Sequence, residues 1–190
     1  MNVQTPIPSA KMTIDEFFGW IEHQELKYEL VEGVPRLQPY VRLNHNRVVV
    51  AVAGLLLKQL DPTEFEITIG DFAVETGPKS IRFADIMVIP AGKPGRTLRI
   101  ADAVLLVEVL SEGTMHVDFG AKLSEYSQLV GLSTYLIFDQ NAPSAWQWTR
   151  DDSGEWPTDP LRSTDGVLTL SRPSVHFQFE EVYRSVKLEG

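Results

Sequence analysis

The chain has 190 residues, 43% of them apolar, no cysteine and a formal net charge of −9. That length suits one domain with a substantial hydrophobic core, and the missing cysteines exclude disulfides and thiolate chemistry. The negative charge argues against nonspecific nucleic-acid binding, which draws on neutralised phosphates, but leaves room for a local basic groove. No stretch approaches the ~18 consecutive apolar residues of a membrane span. The opening MNVQTPIPSAKMTIDEFFGW lacks the basic-then-apolar form of a signal peptide, so a cytoplasmic protein with no membrane partner is expected.

Residues 1–11 read as an N-terminal arm and 12–190 as a single domain. TIDEFFGWIEHQ predicts a helix, with Thr13 and Glu16 as a capping box and Phe17 and Ile21 on one face. KYELVEGVPRLQ predicts two short strands around Gly33. NHNRVVVAVAGLLLKQLDP is rich in β-branched residues. Its length, its apolar positions 48, 51, 52, 55 and 56, the cap offered by Asn44 and the stop at Asp61-Pro62 predict a helix. FEITIGDFAVE, IRFADIMVIP and AVLLVEVL read as three strands. A helix over about 117–130 and the strand TYLIFD come next. This order predicts an α/β fold in which the helix crosses the sheet to a strand parallel to residues 104–110. SAWQWTR, GVLTL and VHFQFEEVY suggest extra short strands, with Trp146 and Trp148 covering the sheet rather than stacking on nucleobases.

Two carboxylates interrupt the apolar strands. Glu108 sits in VLLVEVL and Asp85 in IRFADIMVI. A buried carboxylate is costly unless a hydrogen bond, a counter-charge or a metal compensates it. Either one alone is most simply paired with an arginine or used as a loop cap. Two in neighbouring strands can converge on one divalent cation, and oxygen ligands suit Mg²⁺ or Mn²⁺.

The helix supplies a third element. Phe119, Leu123, Tyr126 and Val130 share one apolar face, and Lys122 falls on its border. Its stem can cover the core while its ammonium reaches toward the end of the Glu108 strand. The plainer alternative, favoured by spacing alone, is a surface pair between Asp118 and Lys122, worth only ~0.3–0.5 kcal/mol.

KYELVEG, His45, RFADIMVIP, LLVEVLSEGT, DFGAKLSEYSQLVGLSTYLIFD and the closing GVLTL with FQFEEVY resemble the Uma-two family, a branch of the PD-(D/E)XK restriction-endonuclease-like proteins. The resemblance runs from about residue 12 to 185 and is most specific from Glu108 to Asp139. It implies an αβββαβ restriction-endonuclease-like core, a mixed central sheet flanked by helices and extra short strands. It also implies divalent-metal-dependent endonuclease activity on phosphodiester bonds, above all of DNA. Asp85 matches the acid of the PD half-motif and Glu108 that of E-x-K. Ala84 replaces the preceding proline, and Leu110 stands where E-x-K has lysine. Lys122 in GAKLSEY matches the place to which that lysine has moved in this branch.

On this resemblance Asp85, Glu108 and Lys122 are the expected catalytic residues, with Asp85, Glu108 and the Val109 carbonyl holding Mg²⁺ or Mn²⁺. Glu29, ahead of Glu32, is the expected accessory acid. His45 would orient a water or contact phosphate, or else serve as a helix cap or a hydrogen-bonded surface residue. Ser111, Thr114 and Asp118 would shape and cap the turn into the helix. Cutting both strands of a duplex often uses two sites, so the resemblance is compatible with a homodimer. Two other readings preserve the same acids: a catalytically idle nuclease fold with an interaction or regulatory role, and a hydrolase of RNA or another phosphodiester. Basic residues beside Asp85, drawn from Arg42, Arg47, Arg82 or Lys122, would favour nucleic acid.

Overall fold

The computed structural model describes residues 8, 10–110 and 117–187, excluding the side chains of Val117 and Asp118. The first helix, α1 (Ile14–Ile21), begins at the expected capping box. The Thr13 hydroxyl accepts from the Glu16 N–H at 3.2 Å, and the Glu16 carboxylate accepts from the Thr13 N–H at 2.7 Å. Strands β1 (Tyr28–Val31) and β2 (Val34–Leu37) form a hairpin around Gly33.

The VVVAVAGLLL run is helical, as α2 (Leu43–Gln59), and it buries Val48, Val52, Leu55 and Leu56. Its cap differs from expectation. Arg42 takes the N-cap position, and Asn44 lies inside the first turn, where its side-chain oxygen accepts from the Arg47 guanidinium at 2.9 Å.

The next apolar runs divide more finely than their composition suggests. FEITIGDFAVE becomes β3 (Phe65–Ile69) and β4 (Ala73–Gly77). IRFADIMVIP becomes β5 (Ser80–Arg82) and β6 (Ile86–Pro90), parted by a bend at 83–85. In each run one half joins one sheet and the other half a second sheet. A short β7 (Arg99–Ile100) precedes β8 (Leu105–Leu110).

A π-helical segment, Val117–Lys122, then leads into α3 (Leu123–Tyr126). This helical stretch ends earlier than expected. Val130, placed on its apolar face by spacing, is 91% exposed, because the α-helix has stopped before it. The chain continues through β9 (Thr134–Asp139), β10 (Ala145–Thr149), β11 (Leu161–Ser163), β12 (Val167–Ser171) and β13 (Ser174–Gln178). The closing FEEVY is a helix, α4 (Phe179–Tyr183), rather than part of a strand.

A six-stranded sheet runs in the order β11-β10-β9-β8-β6-β3. Among the described residues only β8 and β9 pair in parallel in it, so α3 makes the predicted crossover. Read as α2, β3, β6, β8, α3 and β9, the centre has the αβββαβ order. The second sheet, β2-β1-β5-β4-β7, packs against α1 through Phe17, Trp20, Tyr28, Leu30 and Ile81.

Both faces of the six-stranded sheet are covered, and β8 is buried along its whole length. Leu105, Val107 and Val109 join a core with α2, α4 and the β12–β13 hairpin. Leu106 and Leu110 join the opposite core with Tyr126, Tyr135 and Trp148, where Trp146 and Phe119 also pack. By strand alternation Glu108 falls on this second face, toward α3. Among the described residues, no helix is long and apolar enough to cross a membrane.

Gly33 has a conformational reason to be glycine. Its φ is +83°, and a Cβ there would sit 3.0 Å from the Met12 carbonyl oxygen and from the Lys11 Cβ. Gly33→Ala is therefore expected to lose about 1–3 kcal/mol, read as a lower urea midpoint with an unchanged slope.

Candidate active site

Asp85 lies in the bend between β5 and β6, where the chain passes from one sheet to the other. Ile86 pairs with Val107 in the antiparallel ladder, so the next rung would set residue 85 against Glu108. The ladder ends there instead, and the Asp85 carboxylate accepts from the Val109 N–H at 2.7 Å. A side chain thus takes the place of a strand carbonyl and keeps the buried Val109 donor satisfied.

The same Asp85 oxygen lies 3.0 Å from His45 Nε2. An ionised carboxylate can only accept, so Nε2 carries the proton in this pairing. His45 is 4% exposed, and its Nδ1 has no hydrogen-bond partner among the described residues. It is therefore neither the helix cap nor the surface residue that one alternative reading allowed.

Glu108 meets its compensation on the other face of β8. Its Oε1 lies 2.9 Å from Lys122 Nζ and accepts from the Tyr126 hydroxyl at 2.8 Å. Both Glu108 and Lys122 are buried. Lys122 thus makes a core contact that brings strand acid and helix lysine together. Ser111, Thr114 and the Asp118 side chain lie outside the described residues.

Glu29 and Arg82 belong to a neighbouring buried cluster. Arg82 Nη1 donates to Glu29 Oε2 at 2.7 Å, and its Nε and Nη2 donate to the two oxygens of Glu125. The Phe83 N–H donates to Glu29 Oε1 at 3.3 Å. Burial works against the Arg82 charge, but the bonds to Glu125 and the charges of Glu29 and Glu125 outweigh it and raise its pKa. Arg82 is thus no groove cation. Arg42 is exposed and Arg47 half-buried, on the turn of α2 that carries His45. Glu32 has a φ of +50° in the hairpin turn, and its N–H donates to Ser80.

Three residues of this site were not assigned to it from the sequence: Tyr126, Glu125 and Arg82 as an internal anchor. For Tyr126 a signal existed, since a tyrosine on a fully buried stripe needs a partner for its hydroxyl. For Arg82 and Glu125 there was none, because they are distant in sequence and lie on different elements.

The Asp85 and Glu108 carboxylates and the Val109 carbonyl are oxygen donors, the donor type that suits Mg²⁺ or Mn²⁺. Among the described residues no group of three His, Asp or Glu side chains is gathered to hold a metal. A recess of about 680 Å³ bordered by Val104, Ser133, Arg150 and Arg172 lies beyond the opposite end of β8, away from this chemistry.

The family model described as "Uma2: Putative restriction endonuclease" matches residues 14–180. The chain belongs to the Uma2 family. An uncharacterized protein of Synechocystis sp. (strain ATCC 27184 / PCC 6803 / Kazusa) is 24% identical over 181 residues, covering 94% of this chain and 95% of its own length. A crystal structure from Anabaena variabilis ATCC 29413, described as "a putative nuclease belonging to DUF820", superimposes with a TM-score of 0.71 at 12% identity. That match covers 93% of this chain and 99% of the other. The Uma2 chain thus has a restriction-endonuclease-like fold, with the mixed sheet and flanking helices expected from its sequence.

Burial first, and then the Glu108 charge, holds the Tyr126 hydroxyl well above the usual tyrosine range. A raised folded-state pKa contributes stability that is present below the unfolded value near ~10 and is lost as pH climbs above it. Tyr126→Phe should cost about 1.5–3 kcal/mol at neutral pH by removing a bond to a charged acceptor. It should also reduce the loss of stability above pH ~10, measured as urea midpoints on both sides of that pH.

Proposed function

We propose that this protein is a divalent-metal-dependent endonuclease that hydrolyses phosphodiester bonds, with DNA as the favoured substrate. The observation that carries this reading is the meeting of Lys122 with Glu108 at 2.9 Å, beside the Asp85 carboxylate bound to the Val109 N–H. Family membership supplies the context in which that constellation reads as nuclease chemistry.

Asp85 and Glu108, with the Val109 carbonyl, would hold Mg²⁺ or Mn²⁺, which when bound polarises the scissile phosphate and lowers the pKa of a coordinated water. Lys122 orients the attacking water or stabilises negative charge developing on the phosphate. Tyr126 holds the Glu108 carboxylate in place. His45 fixes the Asp85 carboxylate from the α2 side. Arg42 and Arg47, on the same turn, contribute positive charge where a phosphate backbone would approach. Glu29 supports Asp85 indirectly, through Arg82 and the Phe83 N–H, rather than as a direct ligand. A second copy of the chain would supply a second site for the other strand of a duplex.

A specific observation supports one other reading, a catalytically idle fold used in regulation or protein interaction. Both acids already have protein partners: Glu108 with Lys122 and Tyr126, Asp85 with His45 and Val109. The two readings separate on metal and on turnover.

Millimolar Mn²⁺ should raise the melting temperature of the wild type by mass action and leave Asp85→Asn nearly unmoved. An equal rise in both would locate the ion elsewhere.

Lys122→Met should leave Mn²⁺ affinity undiminished, because it removes a cation that competes for Glu108, while cleavage of DNA or RNA falls to background. Undiminished cleavage would remove the role given to Lys122. Wild type that cleaves no nucleic acid at any salt concentration would decide for the idle reading.

A further inference from the structure

Arg82 joins two parts of the molecule that carry different halves of the proposed site. It is the last residue of β5, three positions before Asp85, and is 3% exposed. Its guanidinium grips Glu125 by two nitrogens, Nε at 2.9 Å and Nη2 at 2.5 Å, and Glu29 by the third. Glu125 lies three residues after Lys122 on the same helical stretch and next to Tyr126, which holds Glu108. Thr76 of β4 donates to the same Glu125 carboxylate at 2.8 Å, so both β4 and β5 are tied to this helix.

α3 is only four residues long and follows a π-helical segment, so helix propensity alone does little to set where Lys122 sits. A buried cation paired with one buried and one half-buried carboxylate also adds little to stability, since apolar residues of similar volume commonly do as well or better. What such a cluster does supply is geometry. A forked guanidinium on two carboxylate oxygens admits one relative placement of β5 and α3.

We infer that the Arg82–Glu125 clamp, braced by Glu29 and Thr76, is a positioning device that sets Lys122 and Tyr126 against Glu108 in register with Asp85. Arg82 and Glu125 are positioning residues. They touch neither Asp85 nor Glu108 in the contacts described above, and they act through the segments that carry the reacting groups. The inference rests on the nuclease reading, because the geometry it protects is that of the proposed catalytic groups.

The test measures cleavage of a DNA duplex with Mn²⁺ by Arg82→Lys, Glu125→Gln and the double variant, alongside their melting temperatures. Arg82→Lys keeps the buried charge but loses the fork, and Glu125→Gln keeps the shape but loses the charge. Each should lower kcat about ten- to a hundredfold with KM within about twofold, since small displacements of catalytic groups have effects of that size. The double variant should be no slower than the worse single, because both act through one contact. Arg99→Lys is the control. It loosens ion pairs to Glu75 of β4 and Asp15 of α1 without touching the bonds to Glu125, and should lower the melting temperature without lowering kcat. Should Arg82→Lys fail to fold, Thr76→Val removes one bond to the same carboxylate and should lower kcat in the same direction. Folded variants with wild-type kcat, or an Arg99→Lys variant that loses as much kcat as they do for the same drop in melting temperature, would overturn the clamp while leaving the nuclease reading intact. A wild type without cleavage would overturn that reading and the clamp with it.

Discussion

The carboxylate of Glu108, buried in a strand whose six residues are all buried, is the constraint on which the neighbouring structure depends. An uncompensated charge there would cost several kcal/mol or more, so the fold must bring a cation or strong donors to it. Lys122 and Tyr126 do this from one short helical stretch, through one oxygen of the carboxylate. The position of α3 over β8 is thus tied to charge compensation as much as to apolar packing. The crossover between parallel strands β8 and β9 is the element that delivers it.

Asp85 solves a different problem at the same strand end. The chain leaves the second sheet after Arg82 and enters the first at Ile86, and the ladder between β6 and β8 has to stop somewhere in that passage. The Asp85 side chain closes it by accepting from Val109, and His45 of α2 braces the carboxylate from its other side. One acid is therefore held from the α2 side and the other from the α3 side, with the end of β8 between them. Residues brought to one strand end from two sides need something to keep those sides in register. Arg82, three residues before Asp85, ties that stretch of chain to the α3 side, with one end of its guanidinium on the β1 acid and the other on the α3 acid.

The division of the apolar runs between two sheets follows from the same geometry. Gly70 has a φ of +72° and ends β3, after which β4 departs for the second sheet. The chain returns through the bend at 83–85, the point at which Asp85 is placed. The excursion through β4 and β5 carries Thr76 and Arg82 to α3 and contributes no strand to the sheet that bears Glu108. An insertion that looks peripheral in strand order thus reaches the centre of the molecule through its polar side chains.

Local pattern was sufficient for the capping box at Thr13, the hairpin at Gly33, the helix from 43 to 59, the parallel crossover and the family, because each rests on residues close in sequence or on a motif written in order. The acids Asp85 and Glu108 stood out in the sequence because a charge within an apolar run is legible there. Their partners were harder. Lys122 was read from its border position and from the family motif. The buried state of His45 and the three-way bonding of Arg82 could not be read, since nothing in a linear pattern says which face of which element will lie opposite. Val130 shows the converse: its spacing suits an apolar face, but the helix ends before reaching it. Hydrophobic periodicity, Val130 apart, determined which apolar faces would be buried. Only tertiary structure decided how the buried charges would be matched, because that pairing depends on distances between segments tens of residues apart, from Glu29 to Arg82 to Glu125.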